Sequence, residues 1–185
     1  SSATDDNGGD RSVGIYYGNH NITNTRVFRN TITGCGNGIL LDHQVGYHGN
    51  VVENNTVFGC REAQLVVQDL GLQDSLYQAT YDDLVRGNIL YALNSEQRCM
   101  FHDQVKAWTY ADTAVHRTVD YGTFDENYYF NPFTELVMTQ KLHYDVQDFT
   151  GIVGTQQIPF TLRGWQQVWR KDLNATTSPL HLEDF

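Results

Sequence analysis

The sequence is short of cations. Its 185 residues carry 12 Lys and Arg against 22 Asp and Glu, a formal net charge of -10, and no Lys/Arg cluster occurs along it. Binding to a phosphate backbone relies on clustered positive charge, so nucleic acid is not an expected partner. An anionic polymer would be repelled as well, except at a local basic patch. No long apolar run exists, which excludes a helical membrane span within this stretch. No leader-like segment opens it. Cysteine is scarce too: three is an odd number and does not make a disulfide framework, and no spacing of Cys and His suits zinc.

A helical period is also missing from residues 26–69, and what stands there instead is a repeat. Arg26 to Cys35 reads as a short β-branched run, Asn30, a second short apolar run and a Gly34-Cys35 turn, followed by Gly38 to Asp42. Val51 to Cys60 repeats the same order around Asn55, with a Gly59-Cys60 turn, followed by Gln64 to Gln68. Val13 to Tyr17 matches the strand at Gly38. Leu84 to Tyr91 matches the Asn strands around Asn88, Cys99 to His102 matches the strand after them, and Phe124 to Phe130 supplies a last copy around Asn127.

A repeat built only of short strands and turns predicts stacked turns, because one turn cannot bury its inward side chains alone. Asn tolerates a left-handed corner, and its amide can bond to the Asn of the next turn. Spacing between the Asn residues grows along the chain, which predicts loops inserted at residues 70–83 and 104–121. With 40% hydrophobic residues, the length suits one domain: repeat turns over 12–131 and an extension over 132–185. Pro132 is expected to stop the ladder. Leu162, Trp165 and Trp169 then fall at i, i+3 and i+7, predicting a short amphipathic helix with Thr161 as N-cap. Neither end of the sequence shows a cap, so a piece of a longer solenoid, with further domains or self-assembly through its exposed edges, is expected.

Three short strands per turn with Asn at a corner resembles the right-handed parallel β-helix of the pectate-lyase-like superfamily. The C-terminal pieces Asn127-Tyr128-Tyr129, Leu162 to Gln166, Lys171-Asp172 and Ser178-Pro179-Leu180 resemble the ending of many carbohydrate-active β-helices. The resemblance implies an all-β solenoid with inserted loops and a short C-terminal helix, located outside the cell or on its surface. It also implies action on, or binding of, a polysaccharide. The superfamily includes hydrolases, lyases, epimerases and noncatalytic surface proteins, and the paired-Asp signature of polygalacturonases is missing here, so neither a reaction nor a purely structural role is selected.

Aligning Gly38, Gln64 and Arg98 as strand starts brings Asp42, Gln68 and His102 into one column and His43, Asp69 and Asp103 into the next. Two carboxyl groups set about 5 Å apart suit a retaining glycosidase, and a wider pair suits an inverting one. Asp42, Asp69, His102 and Asp103 are therefore the candidate catalytic residues, with His102 or His43 tuning the acids. A lyase would need a base such as His102, Arg98 or Lys106 and a cation for a uronate carboxylate. The competing reading is that polar groups collect where strands meet solvent. His43, Gln68, Tyr77, Tyr81, Trp108 and Tyr110 are candidate substrate contacts, the aromatics either walling a groove or covering the coil.

Three further features stay open at this level. Cys35 and Cys60 fall one repeat apart and read either as a ladder of buried thiols or as a disulfide. Sequons at Asn21, Asn54 and Asn174 are glycan acceptors in a eukaryotic secretory route, or by-products of an Asn- and Thr-rich composition. No cofactor is expected. The acidic loop Asp5 to Asp10 is either solvated or a calcium ligand set.

Overall fold

A computed structural model describes residues 12–18, 22–43, 48–69, 82–104, 122–144 and 154–178. Within them, fourteen strands and one helix follow in order. β1 spans Val13–Tyr17. Four triplets come next. They are β2 (Arg26–Phe28), β3 (Thr31–Thr33) and β4 (Asn37–His43); β5 (Val51–Glu53), β6 (Thr56–Phe58) and β7 (Ala63–Asp69); β8 (Leu84–Arg86), β9 (Ile89–Tyr91) and β10 (Arg98–Gln104); β11 (Thr123–Asp125), β12 (Tyr128–Phe130) and β13 (Leu136–Tyr144). The chain then forms β14 (Gly154–Thr161) and α1 (Leu162–Trp169).

Each triplet gives one strand to each of three sheets. Their orders are β1-β4-β7-β10-β13-β14, β11-β8-β5-β2 and β12-β9-β6-β3, and every pairing is parallel except β13 with β14. The protein is thus all-β with parallel sheets, an arrangement compatible with a β-helix-like coil. In-register columns of like residues make the core. Val27, Val52, Val85 and Phe124 form one, and Ile32, Val57, Leu90 and Tyr129 another. Ile39, Leu65, Met100 and Met138 form a third. Full burial of each such side chain contributes roughly 1.5–3 kcal/mol.

The corner asparagines form a directed ladder. Asn30 donates its backbone N–H (3.0 Å) and its Nδ2 (2.9 Å) to Oδ1 of Asn55. Asn55 does the same to Asn88, and Asn88 to Asn127, all between 2.9 and 3.0 Å. Nδ2 of Asn55, Asn88 and Asn127 also reaches a carbonyl of the preceding triplet, at Val27, Val52 and Val85. The buried amides of Asn55, Asn88 and Asn127 are therefore satisfied in both oxygen and nitrogen, as burial demands.

Two sequence expectations are corrected. Pro132 does not end the ladder: it lies in a turn, and β13 resumes the parallel sheet beside β10. The C-terminal side is also covered rather than bare. β14 pairs antiparallel along β13, and residues 171–176 run beside β11 and β12, with Asp172 N–H on the Phe124 carbonyl (2.7 Å) and Thr176 bridged to Tyr128. Helix α1 begins where expected, with Thr161 Oγ1 accepting from Gly164 N–H at 3.1 Å. It ends at Arg170 in the left-handed region and buries Leu162 and Trp165 against the core.

Candidate functional site

The outer face of the six-stranded sheet carries two adjacent columns. One runs Tyr16, Leu40, Val66, Phe101, Thr139 and Pro159. Leu40, Ala63 and Val66, with Val13 and Phe101 packed on them, form a second apolar cluster separate from the main core. Next to it runs the polar column Asp42, Gln68, Asp103, Lys141 and Gln157. Strand spacing of about 4.8 Å puts the Asp42 and Asp103 backbone positions two rungs, roughly 10 Å, apart, with Gln68 between them.

This register differs by one residue from the expected one in the third triplet. Arg98 pairs with Ala63 and Met100 with Leu65, so Asp103 stands opposite Gln68 and His102 opposite Val67. A slip of one residue exchanges the two faces of a strand. His102 is accordingly an inward residue, only 3% exposed. Its ring meets Trp165 edge-on at 5.5 Å and Trp169 at 5.8 Å, and its Nδ1 lies 3.3 Å from Gln140 Nε2. It does not join the carboxylates. Asp69 is the partner of His43 and is offset from Asp103, so the expected adjacent pair Asp69 and Asp103 is also corrected. His43 and Asp69 share one register position, and Asp103 stands opposite Gln68.

Asp42 is the best-defined member of the column. It is 3% exposed, and Tyr16 Oη donates to its Oδ2 at 2.7 Å. That bond, then burial, then the carboxylate charge push the Tyr16 phenol up to about 12, so it remains a proton donor at neutral pH. Gln68 is half-buried. Arg98 lies over the Phe101 ring at 5.3 Å and its Nη2 donates to Gln157 Oε1 at 3.4 Å. Gln157 is the register partner of Lys141, so a lysine and an arginine both border the C-terminal end of the column.

Two members escaped the sequence reading. Lys141 was hidden behind the expected stop at Pro132. Tyr16 could have been found, because matching Val13 to Tyr17 with the Gly38 strand already sets Tyr16 beside Leu40 and one step from Asp42.

Other candidates resolve separately. Tyr77, Tyr81, Trp108, Tyr110, Lys106, Asn21 and the loop Asp5 to Asp10 lie outside the described residues. Asn54 is exposed at a left-handed corner, with φ of 54°. Asn174 is also exposed, but its backbone N–H (2.9 Å) and Nδ2 (2.8 Å) are both held by Asp125, whose carboxyl is pulled below its usual range by those bonds. Cys35, Cys60 and Cys99 are free thiols. Among the described residues no three His, Cys, Asp or Glu gather to hold a metal ion, and no helix is long and apolar enough to cross a membrane.

On the outside of the second sheet, Glu53 sits beneath two arginines and is almost wholly buried. Arg26 and Arg86 both pair with it, Arg86 at 3.0 Å, and they hold its carboxyl below the usual range. This trio ties three successive triplets together and has no free acid for chemistry.

No protein-family model matches the chain, and no curated protein or solved structure matches it either.

Proposed function

We propose that the three parallel sheets are the faces of a right-handed parallel β-helix of the pectate-lyase-like kind, and that the protein acts on an extracellular or cell-surface polysaccharide as a glycoside hydrolase or polysaccharide lyase. The observation that carries this reading is the register that sets Asp42, Gln68, Asp103 and Lys141 side by side on successive strands. Backbone positions two rungs, roughly 10 Å, apart let the two carboxyl groups take the roughly 6.5–9.5 Å separation of inverting hydrolases, which leaves room for a water molecule. One carboxyl then protonates the leaving oxygen and the other draws the proton from water. In the lyase version Lys141 and Arg98 neutralise a uronate carboxylate, and a carboxylate of the same column removes the adjacent proton as the glycosidic oxygen leaves.

The burial of Asp42 favours a second reading, a noncatalytic structural or glycan-binding β-helix of an extracellular assembly. A carboxylate only 3% exposed and held by Tyr16 serves the fold as well as it serves a substrate. Incubation with neutral and uronate polysaccharides separates the cases. New reducing ends indicate hydrolysis, the ultraviolet absorbance of an unsaturated uronate indicates elimination, and binding without either product supports the second reading.

A further inference from the structure

We propose that Cys35 and Cys60 form a dithiol site that a disulfide oxidant converts into a covalent bridge between two successive triplets. Cys35 follows β3 and Cys60 follows β6, strands that pair in register through Thr33 and Phe58. The chains stay one rung apart through the turn, since Arg61 N–H donates to the Cys35 carbonyl at 2.8 Å. A separation of about 4.8 Å lies within the roughly 4.4–6.8 Å that bridged Cα atoms span.

The two sulfurs have matching surroundings. Gly14 and Gly38 lie in one column, between the pairs Val13 with Asn37 and Ile15 with Ile39. A Cβ on Gly14 would stand 3.3 Å from Cys35 Sγ, and one on Gly38 would stand 3.2 Å from Cys60 Sγ, so the missing side chains leave the space that the sulfurs fill. Neither thiol is strongly held elsewhere: Cys35 Sγ is 3.6 Å from the Thr33 carbonyl and Cys60 Sγ is 3.9 Å from that of Phe58. Cys99 differs, donating at 3.2 Å to the Phe130 carbonyl.

The order of events follows from exposure. Half-buried Cys35 is the entry thiol. Its thiolate attacks one sulfur of an oxidant RSSR, forming a mixed disulfide and releasing RS⁻. The Cys60 sulfur, its proton lost to solvent, then attacks the Cys35 sulfur and expels the second RS⁻. Two protein thiols are oxidised and one disulfide is reduced to two thiols. Burial pushes the Cys60 thiol up to about 11, which makes the second step slow at neutral pH and faster in alkali. The bridge fastens the turns that lead into β4 and β7, the strands carrying Asp42 and Gln68.

Glutathione disulfide is the probe, with intact mass and a nonreducing peptide map as readouts. The wild type and Cys99→Ser are expected to lose two hydrogens and to yield a linked Cys35/Cys60 peptide. Cys60→Ser is expected to stop at one glutathione adduct on Cys35; should a buried serine unfold the chain, Cys60→Ala gives the same readout. A wild type that stops at the Cys35 adduct, a bridge that includes Cys99, or an unchanged thiol count overturns the proposal.

Discussion

Asn127 donates its Nδ2 to Oδ1 of Asp172 at 2.8 Å, and this bond ends the corner ladder with a carboxylate where every earlier position has an amide. The exchange is chemically fitting. An amide at the last position would present hydrogens that find no further acceptor, whereas a carboxylate only accepts. Tyr129 Oη (2.9 Å) and Trp165 Nε1 (3.3 Å) also donate to Oδ2 of Asp172. One fully buried acid thereby joins the ladder, the core and α1.

The Asp172 carboxyl is pushed up from 3.8 to about 6 by burial, against the bonds from Asn127, Tyr129 and Trp165, which lower it. The unfolded chain loses this proton near 3.8 and the folded chain near 6, so between those values the folded state holds the extra proton. Stability from this group therefore falls as pH rises through that window, by roughly 3 kcal/mol in all. Asp125 and Glu53, held below their usual range, act in the opposite direction and lose their contribution on acidification. Comparison with Asp172→Asn isolates the effect. The unfolding free energy of the wild type minus that of the variant should drop between pH 4 and pH 7, and a flat difference would count against it.

Within the ladder, Asn88→Ala removes the acceptor of two Asn55 donors and strands the amide of its neighbour in the core. Each unsatisfied buried group costs about 1–3 kcal/mol, so a loss of roughly 2–5 kcal/mol in urea unfolding is expected. A loss below about 1 kcal/mol would show that the ladder contributes little.

Gly38→Ala meets both Val57 Cγ1 of β6 and the Gln64 carbonyl of β7, and the carbonyl cannot withdraw without opening the contact between β4 and β7. Overpacking of this kind costs typically 1–3 kcal/mol. Gly34→Ala, with open space around its Cβ but φ of 71°, should cost only the backbone strain, about 1 kcal/mol. Thermal unfolding of the two variants checks the ranking, and an equal or reversed order would contradict the packing described.

Much of this fold is legible in the sequence because the corners are spelled out. Asn30, Asn55, Asn88 and Asn127 mark successive triplets, and the α1 signal of Thr161, Leu162, Trp165 and Trp169 is complete. The site was less legible for two physical reasons. The outer face of the six-stranded sheet is itself apolar at Leu40, Val66 and Phe101, so alternation along Arg98 to Gln104 does not say which side is in, and a turn of varying length before β10 removes the count that would fix it. The closing role of Asp172 depends on contacts with Asn127, Tyr129 and Trp165, which no local pattern encodes.

The central claim is that Asp42 and Asp103, two rungs apart in one register column, act on a polysaccharide. Its most direct test is turnover of a polysaccharide panel by the wild type, Asp42→Asn and Asp103→Asn, each checked for folding by thermal unfolding. General acid–base roles predict product from the wild type and a loss of about 10²–10⁴-fold in each folded variant. Equal turnover by all three, or product from none of them, would contradict it.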